Sequence, residues 1–189
     1  MASTYPTSLD AFTNPLTTNT LASPSHAQQH SDLNDAVEAL EAKVAVGATT
    51  LGTYTAYTPT ISALTLGDGT LTSSYCRVNN FVHYFGKVAI GNTTAFLGGS
   101  FTITLPVNSD STIAATNGTS FGLFTFRDSS AATNYYGVGR VGAGSASLIF
   151  VEAFNASGTY SSGTNITSTV PMTWASTDVL SWNLYYKAA

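Results

Sequence analysis

Hydrophobic and polar residues alternate with a period of two through most of the chain beyond residue 54. Six runs show this pattern, at residues 81–90, 100–105, 121–126, 135–141, 147–154 and 179–186. Turn-forming dipeptides such as Asp68-Gly69 and Asn117-Gly118 separate them. Because no second helical pattern interrupts the runs, we predict a mainly β domain over residues 54–189, an antiparallel sandwich of jelly-roll type.

Residues 23–47 follow a different period. Apolar residues and histidines recur there at alternating steps of three and four, at His26, His30, Leu33, Val37, Leu40 and Val44. Ser23 before Pro24 is typical of a helix start, and Gly47 of a helix end. So narrow a stripe favours a coiled coil between copies, the alternative being one amphipathic helix packed on the β domain. Val and Leu at alternating positions of the stripe favour a coiled coil of two helices.

Two histidines, His26 and His30, occupy the first two positions of this stripe. In a parallel coiled coil the copies of each would meet around the axis. Polar residues at such positions usually set the register and the number of strands. Binding of a metal ion or an anion is the alternative, since side chains four residues apart share one helix face.

The first 22 residues combine proline with isolated apolar residues. Pro6 and Pro15 exclude a regular helix or a central strand. Leu9, Phe12 and Leu16 interrupt a polar background at short intervals. We interpret residues 1–22 as an extended arm that lies in a groove of another protein, the alternative being a free terminus. Residues 48–53 are a short linker.

Charge is scarce and unevenly placed. Charged residues make up 8% of the 189, and the net charge of −4 lies within residues 1–50. Residues 54–189 are neutral overall, which excludes a basic nucleic-acid-binding domain and favours an assembly that covers much of the surface. The single cysteine, Cys76, lies in a strand-like run and is expected to be a buried thiol. We expect no membrane span and no secretory signal.

Motifs for catalysis or cofactors are weak. Gly137, Gly139 and Gly142 match G-x-G-x-x-G, but another β run follows them instead of a helix, so close packing explains them better. His83 is the one histidine of the β domain, within a strand. Glu152 is expected to pair with Arg127 or Arg140. We therefore predict no enzyme, no catalytic residue and no cofactor.

The N-terminal third carries a resemblance. The segments Ser8-Leu9-Asp10-Ala11-Phe12-Thr13-Asn14-Pro15 and Leu21-Ala22-Ser23-Pro24-Ser25-His26, followed by the acidic helix, occur in order. Over residues 8–48 this arrangement resembles the N-terminal module of tailed-bacteriophage virion appendages, such as head fibres, capsid decoration proteins and tail-fibre-like proteins. Residues 170–175, before the last strand, are similar in style to their terminal β domains.

The resemblance implies a homotrimer on the virion surface, made in the cytoplasm of a bacterial host. Leu9, Phe12, Pro15 and Leu16 would anchor it to a capsid or tail protein, and the heptad residues from His26 to Val44 would hold the trimer. The β domain would decorate the particle or adhere to host glycans. The pairs Tyr135-Tyr136 and Tyr185-Tyr186 are candidate sugar-stacking residues, but roles in the strand core or at the trimer interface explain them equally well. A tail-associated receptor-binding fibre and a glycan-degrading enzyme are the alternatives.

Overall fold

The computed structural model describes residues 26–44, 52–114, 119–141, 147–155 and 162–189. The chain divides into two compact units, Met1–Thr53 and Tyr54–Ala189. The predicted arm, the helix-capping residues Ser23 and Gly47 and most of the predicted linker lie outside the described residues.

Within the first unit, helix α1 spans His26–Val44. Its sequence contains neither glycine nor proline, and alanines and glutamates supply high helix propensity. The predicted helix is therefore confirmed over these 19 residues. None of the described helices is long and apolar enough to cross a membrane.

In the second unit the described residues form eleven strands and one helical turn. They are β1 Thr55–Ala56, β2 Leu64–Thr65, β3 Thr70–Val78, β4 Phe81–Ala89, β5 Ala95–Phe96, β6 Thr102–Thr104, α2 Ser111–Ala114, β7 Ser120–Asp128, β8 Thr133–Val141, β9 Leu148–Asn155, β10 Ser162–Asn165 and β11 Val179–Lys187. The predicted runs correspond to β4, β6, β7, β8, β9 and β11. The short strands and α2 carry no periodic signal.

Nine strands build one antiparallel sheet in the order β1-β3-β4-β11-β7-β8-β9-β10, with β6 also paired to β9. Strands β2 and β5 form a separate pair. The prediction of a mainly β, antiparallel domain is confirmed, and the sheet is consistent with a β-sandwich. Strand β11 lies in the middle of the sheet, between β4 and β7, so the last strand in sequence is central in space.

The two ends of the sheet are joined by the segment that follows β1. The Ser62 N–H donates to the Thr102 carbonyl at 2.9 Å, and the Thr104 N–H donates to the Thr60 carbonyl at 3.0 Å. Tyr57 Oη lies 2.8 Å from Thr104 Oγ1. Backbone groups of β6 that would otherwise form a free edge are therefore paired, which protects the domain against edge-to-edge association.

The core lies inside the curved sheet and is rich in aromatic residues. Along β4 and β11 every second side chain is buried, as the alternating pattern predicts, whereas in β7 an irregularity at the start of the strand separates the buried Phe121 from Phe124 by three positions. Gly86 belongs to this buried face because the Trp182 ring occupies the adjacent space. A Cβ atom at residue 86 would lie 2.3 Å from Trp182 Cζ2, so no larger residue fits beside the indole.

Candidate functional site

Large apolar side chains are exposed on the outer face of the sheet, where β3, β4 and β11 lie side by side. Tyr54, Phe81, Phe85 and Tyr185 are 40 to 53% exposed, and His83 lies among them. We call these five residues the aromatic face. Outward positions of an antiparallel sheet are usually polar. A contiguous exposed aromatic cluster is instead typical of a surface that binds a partner or ligand.

His83 is the centre of this cluster and is held from three sides. Its Nδ1 lies 2.6 Å from the Tyr54 hydroxyl, and its Nε2 lies 2.8 Å from Asn183 Oδ1. Since Oδ1 only accepts, Nε2 carries a proton and donates to it, and the Tyr54 hydroxyl is hydrogen-bonded to Nδ1 on the other side of the ring. The Tyr185 ring stacks parallel to the imidazole at 4.4 Å. The strand register makes this possible because it sets Tyr185 opposite His83.

These contacts determine what His83 can do chemically. Both ring nitrogens have side-chain partners, which fixes the orientation of the ring. The oriented ring is partly exposed among aromatic side chains, an arrangement that suits the binding of a ligand. The expected location of His83 on a sheet face is confirmed.

A shallow depression of about 600 Å³ adjoins the aromatic face. Its larger side walls come from Phe85, Lys87, Leu123 and Asn183, and hydroxyl side chains lie between them. The register explains this shape. Lys87 of β4 lies opposite the smaller Ser181 of β11, and the neighbouring outward pair is Phe85 and Asn183. No pattern in the sequence indicates this site, because its residues come from four strands, of which β7 and β11 are distant in the chain from β3 and β4.

The tyrosine pairs suggested by the sequence are separated in the structure. Tyr185 is exposed, whereas Tyr186 is buried and donates a hydrogen bond to the Val107 carbonyl at 2.8 Å. Tyr136 is exposed and Tyr135 packs partly against the core. Consecutive residues of a strand point to opposite faces, so the interpretation of each pair as one sugar-stacking cluster is wrong.

The helical stripe is exposed within the chain. Leu33, Val37 and Leu40 are 57, 44 and 51% exposed, and Val44 closes the helix. Nε2 of His26 and Nε2 of His30 lie 3.0 Å apart, so one ring donates to the other. The described residues contain no cluster of three or more metal-ligating side chains. The four anchor residues, Leu9, Phe12, Pro15 and Leu16, lie outside the described part of the chain.

The remaining motif predictions concern β8 and β9. Gly137 and Gly139 lie within β8, and a Cβ at residue 137 would approach the Glu152 carbonyl oxygen to 2.2 Å, which confirms close packing as their reason. Gly142 lies outside the described residues. Arg140 is the partner of Glu152, at 2.6 Å. Cys76 is buried and is a free thiol, as expected.

An ion pair ties the end of β11 to the loop before α2. Lys187 Nζ lies 2.7 Å from Asp110 Oδ2, and hydrogen bonds from Lys187 and Thr112 hold the pKa of the Asp110 carboxyl well below its usual value of 3.8. Because the folded pKa is the lower one, protonation favours the unfolded chain. The contribution of this carboxylate to stability is therefore present at neutral pH and lost as the pH falls below about 4.

We expect Asp110→Asn to lower the unfolding midpoint slightly at neutral pH. In acid the midpoints of the variant and the wild type should converge, because the Asp110 carboxylate is then protonated. Thermal unfolding of both proteins between about pH 7 and pH 2 measures this difference. Lys187→Gln should behave in the same way, because it removes the other partner. A difference that stays constant down to the acid limit would contradict the assignment.

Comparisons of the chain with known protein families, with curated proteins and with solved structures found no match.

Proposed function

We propose that the chain is a structural protein of a tailed-bacteriophage virion and forms a homotrimeric surface appendage, either a head fibre or a decoration protein. In this proposal residues 1–22 anchor it to a capsid or tail protein, α1 forms a short coiled-coil stalk, and the β domain is a sandwich-type head exposed on the particle. The protein needs no cofactor and is not an enzyme.

The exposed stripe on α1 is the observation that carries the proposal. Leu33, Val37 and Leu40 are each about half exposed on a helix with a strict spacing of three and four residues. Covering such a stripe with copies of itself stabilises the assembly by about 2 kcal/mol for each leucine that becomes fully buried. The resemblance of residues 8–48 to virion appendages indicates three chains in the assembly. We give it more weight than the pattern of Val and Leu, which favours two.

The aromatic face favours an adhesive role for the head over a purely passive one. An exposed cluster of aromatic rings around an oriented histidine is typical of a surface that binds a partner or ligand. This observation also supports the alternative of a tail-associated receptor-binding fibre. Imaging of labelled particles separates the two, because the label lies on the head in one case and on the tail in the other.

Two measurements on the intact chain test the proposal. Sedimentation equilibrium should give a mass three times the 19.7 kDa of one chain. Deletion of residues 1–22 should preserve that mass and abolish co-purification with the phage particles. A monomeric full-length chain contradicts the stalk, and truncated protein that still co-purifies with particles contradicts the arm.

A further inference from the structure

We infer that the depression beside the aromatic face is a binding site for a carboxylate-bearing saccharide, with Lys87 as the residue that recognises the carboxylate. The inference extends the proposed function, since it assumes that this face is exposed on the assembled protein. It names the class of ligand that the head would take.

The lining of the depression matches a sugar. The Phe85 ring offers an apolar surface for the C–H face of a pyranose. Hydroxyl groups of Thr72, Thr125 and Ser181 and the amide of Asn183 can donate to and accept from sugar hydroxyls. A volume of about 600 Å³ is sufficient for one or two sugar rings.

The backbone around the depression argues against an extended peptide as the ligand. Strand β4 is paired with β3 on one side and β11 on the other, and β11 is paired with β4 and β7. Peptides that add to a sheet need a strand with unpaired N–H and C=O groups. The N–H and C=O groups of β4 and β11 are already paired with neighbouring strands here, so a ligand must be recognised by side chains.

Lys87 introduces a positive charge that forms no ion pair with any residue of the part of the domain that the structure describes. Its cross-strand neighbours are Thr72 and Ser181, and among the described residues no carboxylate forms an ion pair with it. A bound anion would therefore not have to displace a described carboxylate from Lys87. A ligand carboxylate would add a charge-assisted hydrogen bond, which is stronger than one between neutral groups.

A second copy of the β domain is a poor occupant of the site, because its own carboxylates are all engaged. Asp110 and Glu152 form ion pairs, and Asp68, Asp128 and Asp178 each accept backbone N–H groups. Packing two such domains through this face would bury Lys87 at a considerable cost in free energy unless one of these carboxylates, each of which already has a partner, also reached it. An acidic sugar supplies the missing charge.

The test uses the full chain and two acidic probes, each with a neutral counterpart: 3′-sialyllactose with lactose, and a hyaluronan tetrasaccharide with chitotetraose. Isothermal titration calorimetry should show binding of at least one acidic probe and much weaker binding of its neutral counterpart. Lys87→Gln should weaken binding of the acidic probe about tenfold, as expected for loss of a charge-assisted hydrogen bond.

Lys187→Gln is the matched control. Residue 187 lies on the outer face of the same sheet, six residues along β11 from Ser181, or about 20 Å away. This variant should bind the acidic probe within twofold of the wild type. Circular dichroism and sedimentation velocity of both variants confirm that fold and association are retained.

Any of three binding results would overturn the inference. They are absence of binding of both acidic probes, equal binding of the neutral counterparts, and a Lys87→Gln variant with unchanged affinity. A change in oligomeric state caused by Lys87→Gln would also overturn it, because it would show that the face contacts another copy. Each outcome leaves the trimer and the arm to be judged by their own measurements, so the two proposals can fail separately.

Discussion

Replacing Leu33 and Leu40 together with aspartate is expected to convert the proposed trimer into a monomer. Each leucine is more than half exposed in the single chain and would become buried between copies. The variant replaces that apolar area with carboxylates that would face one another around the axis. Sedimentation equilibrium should then report the mass of one chain at concentrations at which the wild type is a trimer.

The matched control adds the same charge elsewhere on the helix. Gln28 and Ser31 are exposed and lie off the stripe, so Gln28→Asp together with Ser31→Asp should leave the assembly intact. In both double variants the β domain should keep its own unfolding transition, because it forms a separate compact unit. A Leu33→Asp, Leu40→Asp protein that stays associated would place the interface between copies outside α1.

Phe124→Ala is expected to destabilise the β domain by about 3 to 5 kcal/mol, a large share of the 5 to 15 kcal/mol of a typical domain. Phe124 is fully buried and stacks between Phe126 and Trp182, at centroid distances of 6.4 and 6.2 Å. Truncation leaves a cavity that the surrounding strands cannot close, because β7 is held by β11 and β8. Urea unfolding followed by tryptophan fluorescence measures the loss.

Leu123→Ala is the control for this prediction. Leu123 precedes Phe124 on the same strand but is 56% exposed, so its truncation should cost less than about 1 kcal/mol. The ratio of the two losses tests which face of β7 is buried. Similar losses for both variants would contradict the inward direction of Phe124.

Much of the local structure was predictable from residue patterns. The period of two identified β4, β7, β8, β9 and β11, because one face of each strand is buried in a common core. The helix over His26–Val44 was predictable from its spacing of three and four residues. Strands β1, β2, β5 and β10 were not, since two to four residues are too short for a period to show.

The candidate site was not predictable in the same way. His83 could be assigned to a strand, but Tyr54 and Asn183 are separated from it by 29 and 100 positions in the chain. Asn183 reaches His83 through the pairing of β11 with β4, and Tyr54 through the pairing of β1 with β3, which lies beside β4. Many other strand orders would satisfy the same periodic pattern. The depression around Lys87 likewise exists only because four strands take this order.

The amino-acid sequence by itself determined the fold class: an apolar stripe on an acidic helix, followed by a neutral, antiparallel β domain. These features follow from local periodicity and charge, which each segment carries independently of the others. Only the tertiary structure decided that the aromatic residues of β4 and β11 face outward around one histidine. It also decided that Lys87 lies beside them and that no carboxylate among the described residues forms an ion pair with it, because register and strand order are set by contacts between segments distant in sequence.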